Sequence, residues 1–223
     1  MQRMIIDLHT DPRVYSIDKF LSAEECNHII EYAKKEHMAR AKVSGKDEGV
    51  VTDARTNSVL WVTHYADEVF TAIARRTASL IGIPLSHAES FQIIHYQPGA
   101  EYRGHFDAFD PTTDTGKRNW ACGGQRLVTA LCYLNTVPKG GDTRFTKLKM
   151  SVPAEQGKLL VFHNTEHGTI RRHPNSVHAG MPVEAGEKWA FNLWFRAKSR
   201  QEPNADPTDK EMDEFTRFMK KKS

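Results

Sequence analysis

The chain has 223 residues, 39% hydrophobic and 26% charged, which suits one soluble globular domain with a sizeable core and excludes a disordered or fibrous polymer. A formal net charge of +3, part of it in the closing Lys220-Lys221-Lys222, is too small to indicate a nucleic-acid partner. Cys26, Cys122 and Cys132 are scattered and odd in number, so they suggest no disulfide framework and point to a reducing, cytoplasmic setting; no stretch has the length and hydrophobicity of a membrane span, and Asp7 arrives too early for a signal peptide.

Val14-Tyr15-Ser16-Ile17 reads as a short strand. Ser22-Ala23-Glu24-Glu25 has the spacing of a helix capping box, and Cys26, Ile29, Ile30 and Ala33 continue it as one apolar stripe. A polar loop is expected around Ser44–Gly49. Arg55-Thr56-Asn57-Ser58, leading into Val59-Leu60-Trp61-Val62, fits either a flap over a site or an ordinary surface loop. A second helix is predicted over about 67–80, with Phe70, Ile73, Thr77 and Leu80 on its buried side and Gly82-Ile83-Pro84 as its stop.

Strand signals then dominate. Phe91–Tyr96 is β-rich and turns at Gln97-Pro98-Gly99 into a strand carrying His105 and Asp107. Residues 109–124 show no apolar period and read as a long loop, either a lid or a disordered stretch. Residues 125–134, 158–163 and 188–195 are apolar strands separated by Gly/Pro turns. Strands following helices predict an α+β protein with a jelly-roll core and the N-terminal helices packed on one sheet. We expect a single domain over residues 1–200, with helical support at 14–86 and the core at about 87–197. A polar tail follows at 201–223, with a terminal helix over Asp209–Lys222.

On a strand, residues two apart share a face, so His105 and Asp107 aim one nitrogen and one oxygen donor at a common point. His178 is the best third ligand. Two histidines and one carboxylate on one side of a metal leave positions free, the pattern of Fe(II) oxygen-activating enzymes; zinc sites more often close with four ligands. Along the last strand Lys188, Ala190, Asn192 and Trp194 share one face, opposite Trp189, Phe191, Leu193 and Phe195. A hairpin after His178 would bring Lys188 near the metal. An inward lysine needs an anionic partner, and a carboxylate-bearing ligand such as 2-oxoglutarate supplies one.

From about Arg55 to Arg196 the chain resembles the catalytic domain of the prolyl 4-hydroxylases, within the Fe(II)/2-oxoglutarate dioxygenases. The resemblance rests on Tyr96-Gln97-Pro98-Gly99-Ala100-Glu101-Tyr102-Arg103-Gly104-His105-Phe106-Asp107, Gly123-Gly124-Gln125-Arg126, Gly140-Gly141-Asp142-Thr143, His178-Ala179-Gly180-Met181-Pro182-Val183 and Gly186-Glu187-Lys188-Trp189. It implies a double-stranded β-helix with His105, Asp107 and His178 on Fe(II), and Tyr96, Thr143 and Lys188 on the distal carboxylate of 2-oxoglutarate. It further implies a proline-containing peptide or protein as substrate, O2 as co-substrate, ascorbate as reductant, and a peptide groove at Glu89, Tyr102, Arg126 and Trp194 under a loop starting at Arg55. Thr129 and Tyr133 are further candidates for the inner face, Tyr133 chiefly as core.

Two residues depart from the pattern: Arg196 stands where relatives often have histidine, and Asn57 where they have serine or threonine. Both lie on the substrate side. The competing readings are an oxygenase acting on a free amino acid or on nucleic acid, and a silent jelly-roll binding module. No basic stripe interleaved with aromatics favours nucleic acid, and nothing favours a membrane partner.

Overall fold

A computed structural model describes residues 4–42 and 53–200. The loop expected at 44–49 and the helix expected at 209–222 lie outside those residues.

The chain opens with a hairpin of β1 (Ile6–Thr10) and β2 (Arg13–Ile17). Helix α1 (Ala23–Lys35) starts where the capping box puts it. The Ser22 hydroxyl accepts from the Glu25 amide at 3.1 Å, and the Glu25 carboxylate accepts from the Ser22 amide at 2.9 Å. Such a cap is worth about 1 kcal/mol. After β3 (Ala39–Arg40) and β4 (Ser58–Val62), α2 (Glu68–Ile81) is capped by Asp67 and ends at Gly82, whose φ of 77° is the left-handed stop glycine adopts readily.

Then come β5 (Phe91–Tyr96), β6 (Tyr102–His105), α3 (Asp114–Trp120) and β7 (Arg126–Tyr133). The chain continues through β8 (Lys139–Gly140), β9 (Thr143–Phe145), β10 (Met150–Val152) and β11 (Leu159–His163). It ends with β12 (His178–Gly180), β13 (Val183–Ala185) and β14 (Lys188–Arg196).

Among the described residues, one sheet has the order β1-β2-β11-β7-β14-β5-β4-β3 and a second the order β10-β9-β12-β6, with β13 and β8 pairing separately. The period-two alternation of β14 divides the core. Trp189, Phe191, Leu193 and Phe195 pack outward with Ile29, Phe70 and Ile73 of the two long helices. Ala190 faces the other way, among Ile94, Tyr96, Leu131, Tyr133, Phe145 and Phe162, which lie between the sheets. Each large side chain so buried contributes about 2 kcal/mol. This is the expected jelly-roll with helices on one sheet. Among the described residues, no helix is long and apolar enough to cross a membrane.

Three local expectations need correction. Residues 109–124 are not a structureless loop, because α3 lies within them, capped by the Thr113 hydroxyl at 3.0 Å from the Gly116 amide and anchored by buried Trp120. Gly116 is required there: a Cβ would fall 1.7 Å from the Asp110 carbonyl oxygen. Second, strand β6 stops at His105, so Asp107 lies in the bend beyond it. Third, no hairpin joins His178 to Lys188: the chain passes from β12 in the smaller sheet to β14 in the larger one.

Candidate metal and co-substrate site

β12 runs antiparallel to β6 and places His178 directly opposite His105. Their ring centroids are 4.4 Å apart. In each imidazole Nδ1 lies against the carbonyl oxygen two residues earlier, Arg103 O at 2.9 Å for His105 and Ser176 O at 3.0 Å for His178. A carbonyl only accepts, so Nδ1 carries the proton and Nε2 keeps its lone pair for a metal. The buried Asp107 carboxylate sits between them, Oδ1 3.7 Å from His105 Nε2 and Oδ2 3.6 Å from His178 Nε2. All three donor atoms lie within 4.8 Å of one another.

Polar neighbours fix the carboxylate. The Asn164 amide donates to Thr129 Oγ1 at 2.8 Å, so the single Thr129 proton goes to Asp107 Oδ2, 2.7 Å away. Burial lowers the His105 pKa, assisted by His178. Burial alone would raise Asp107, but the two imidazoles and Arg126 outweigh it and hold the acid below the usual carboxylate range. An imidazole that burial disfavours as a cation and a carboxylate held ionised are the protonation states a divalent metal needs. The donor set therefore fits Fe(II) with positions to spare. Tyr102 stacks on His105 at 3.5 Å between centroids, and Phe145 and Phe162 flank His178.

The residues expected to hold a diacid form a second cluster. Lys188 is in register with Tyr96 on the neighbouring strand. Lys188 is 2% exposed, and its ammonium group donates to the Gly141 carbonyl at 2.6 Å, beside the rings of Tyr96 and Tyr133 at 5.3 Å each. Burial lowers its pKa to about 8, with Asp142 opposing only in part. Tyr133 donates to Thr143 Oγ1 at 2.8 Å, which brings it into this cluster and not merely into the core. Burial raises the Tyr96 phenol to about 12 and Tyr133 further, so both stay neutral donors. A buried ammonium whose hydrogen-bond partner is a neutral carbonyl, and which Asp142 offsets only in part, is a ready receptor for a carboxylate.

On the substrate side, a cavity of about 170 Å³ is lined by Arg55, Tyr102, Asp107, Phe109, Arg126 and Trp194. Arg126 lies 3.7 Å above the Trp194 ring, and Arg55 4.5 Å above Tyr102. Glu89 does not line the cavity. It sits behind as the counter-ion of Arg126, in a bidentate pair at 2.6 and 2.8 Å. Arg196 likewise stays behind the wall, donating to the carbonyls of Asn119 in the last turn of α3 and of Cys122 just past it, while its plane covers Phe109 at 4.5 Å.

Sequence reasoning missed Phe109, Asn164 and Gln92. Gln92 had a signal: it is polar at the parity of Ile94 and Tyr96, and it pairs in register with Asn192. Asn164, in the connection after β11, had none.

The sequence pattern of the 2OG-Fe(II) oxygenase superfamily matches residues 91–196. Over 215 residues the chain is 33% identical to a probable prolyl 4-hydroxylase 7 of Arabidopsis thaliana, covering 87% of this chain and 66% of that protein. It is 32% identical to prolyl 4-hydroxylase 2 of the same plant, covering 84% and 68%. The chain thus spans about two-thirds of the length of these relatives. Among solved structures it superposes on the viral collagen prolyl hydroxylase of Paramecium Bursaria Chlorella virus-1, in its 2OG complex, with a TM-score of 0.66 and 28% identity, covering 82% of this chain and 96% of that one.

Proposed function

The chain belongs to the 2OG-Fe(II) oxygenase superfamily, among its prolyl 4-hydroxylases, and from that premise we propose that it hydroxylates C4 of proline within a peptide or protein. When bound, Fe(II) and 2-oxoglutarate supply the oxidising chemistry, in which O2 is consumed, succinate and CO2 are released and a C–H bond becomes C–OH. His105, Asp107 and His178 hold the metal, and Thr129 keeps the Asp107 carboxylate oriented. Lys188, Tyr96 and Thr143, with Tyr133 behind Thr143, receive the distal carboxylate of 2-oxoglutarate. Tyr102 and Trp194 are the aromatic walls between which an extended proline segment lies, and Arg126, locked by Glu89, stiffens one of them. Ascorbate as reductant and a reducing, cytoplasmic setting belong to the same reading; the free thiols of Cys26, Cys122 and Cys132 support the latter.

The observation that carries the proposal is one buried carboxylate between two imidazoles whose Nε2 lone pairs face it, on the floor of an aromatic-walled cavity. The test measures succinate release with Fe(II), 2-oxoglutarate and ascorbate, with and without proline-rich peptides, and locates any added oxygen by mass spectrometry. Peptide-stimulated turnover with oxygen on proline is expected, and His178→Ala abolishes it in a folded protein. Stimulation by free amino acids alone would refute the peptidyl assignment.

A further inference from the structure

Arg55 is 8% exposed and lines the substrate cavity, yet its partners are all neutral: Asn57 Oδ1 at 3.0 Å, Gln92 Oε1 at 3.1 Å, the Lys42 carbonyl at 3.4 Å and the Tyr102 hydroxyl. A guanidinium has five N–H donors, so these partners leave one for a further acceptor. Among the described residues, no carboxylate pairs with it. Nearby acids are engaged elsewhere: Asp53 with Arg40, Glu101 with Arg103, and Glu89 with Arg126. A buried cation without a counter-charge is costly, and it persists where a ligand completes it.

The loaded centre does not supply that counter-charge. The two positive charges of Fe(II) and the one on Lys188 would be balanced by Asp107 and the two carboxylates of 2-oxoglutarate, and the further carboxylate near Lys188, Asp142, does not line the substrate cavity. Arg126 is paired with Glu89, which also faces Arg196 behind the wall at 3.6 Å. Among the described residues Arg55 is then a cavity-wall cation with no paired carboxylate, and Lys42, another lining residue, adds to its sign.

Resting on the hydroxylase reading, we infer that the preferred substrate carries an acidic side chain one or two residues from the target proline, received by Arg55 and steered by Lys42. The aromatic walls take the pyrrolidine ring and the guanidinium takes the carboxylate, so selectivity comes from charge as well as from polyproline shape.

The test uses enzyme kept anaerobic with Fe(II) and 2-oxoglutarate, and end-blocked peptides of equal length with one central proline flanked by Glu, Gln or Lys. A fourth peptide has neutral flanks and ends in proline with a free carboxylate. Affinity is read by calorimetry, and hydroxylation is then measured in air. The Glu peptide is expected to bind at least about tenfold tighter than the Gln peptide, with the Lys peptide weakest. Arg55→Gln closes the gap between Glu and Gln, and Lys42→Gln reduces the salt dependence of Glu-peptide binding.

Equal binding of the Glu and Gln peptides, with both hydroxylated, overturns the inference and leaves the hydroxylase reading standing. Tightest binding of the peptide ending in free proline assigns the carboxylate to proline itself and overturns the side-chain source. If no proline peptide binds or is hydroxylated, the hydroxylase reading and this inference fall together.

Discussion

Lys188 sets a measurable conflict between stability and function. The residue is 2% exposed, and its lowered pKa, from 10.5 to about 8, corresponds to about 3 kcal/mol of unfavourable burial. Between those values the unfolded chain binds more protons than the folded one, so stability rises with pH from about 8 to 10.5; below pH 8 the full deficit is present. Lys188→Met keeps the aliphatic length and removes the charge, but it deprives the Gly141 carbonyl of its donor, worth about 1 kcal/mol. The ligand-free variant should therefore be more stable than its parent by about 2 kcal/mol at pH 7, with the difference vanishing and then reversing towards pH 10.5. Urea unfolding at several pH values between about 7 and 10.5 reads this directly, because titrating groups that do not interact with Lys188 drop out of the difference and its neighbour Asp142 is ionised throughout that range. The same variant should bind 2-oxoglutarate far more weakly by calorimetry, and parental affinity should weaken above pH 8 as the ammonium is lost. A variant less stable than the parent at pH 7, or a difference indifferent to pH, would refute the reasoning.

Thr129→Val removes the donor that fixes Asp107 and should weaken Fe(II) or Mn(II) binding by about 10- to 100-fold, as read by metal titration without substrate. Glu89→Gln leaves Arg126 buried without its counter-ion and should destabilise the protein by about 3 kcal/mol in urea; the peptide KM should rise while the 2-oxoglutarate KM stays put. Ser22→Ala loses one half of the capping box and should cost about 1 kcal/mol, lowering Tm by a few degrees with no change in uncoupled turnover.

What the sequence made legible follows from periodicity. The capping box and stripe of α1 were readable because two local signals agreed. The two faces of β14 were readable because nine consecutive residues alternate between two cores. Helix α3 was not, since it is short, polar and interrupted by a glycine whose purpose, the approach of Asp110, is tertiary. Strand parity suggested that His105 and Asp107 share a face, but β6 ends between them and the bend does the work. The route from His178 to Lys188 was misread as a hairpin because a turn motif shows that the chain reverses, not which sheet it rejoins. Arg196 was visible as a departure from the family pattern; that it reaches carbonyls at the C-terminal end of α3 depends on contacts more than 70 positions apart.

His178 is paired on both sides, to His105 of β6 and to Phe145 of β9. A slip of β12 by one position would swing its imidazole to the opposite side of the sheet and leave two donors where three are needed. The ability to take up iron is thus created by strand alignment, all at once, and not by gradual convergence of loops. Metal capture during refolding should accordingly time the completion of the smaller sheet, and a chain that has formed only its helices and larger sheet should remain blind to iron.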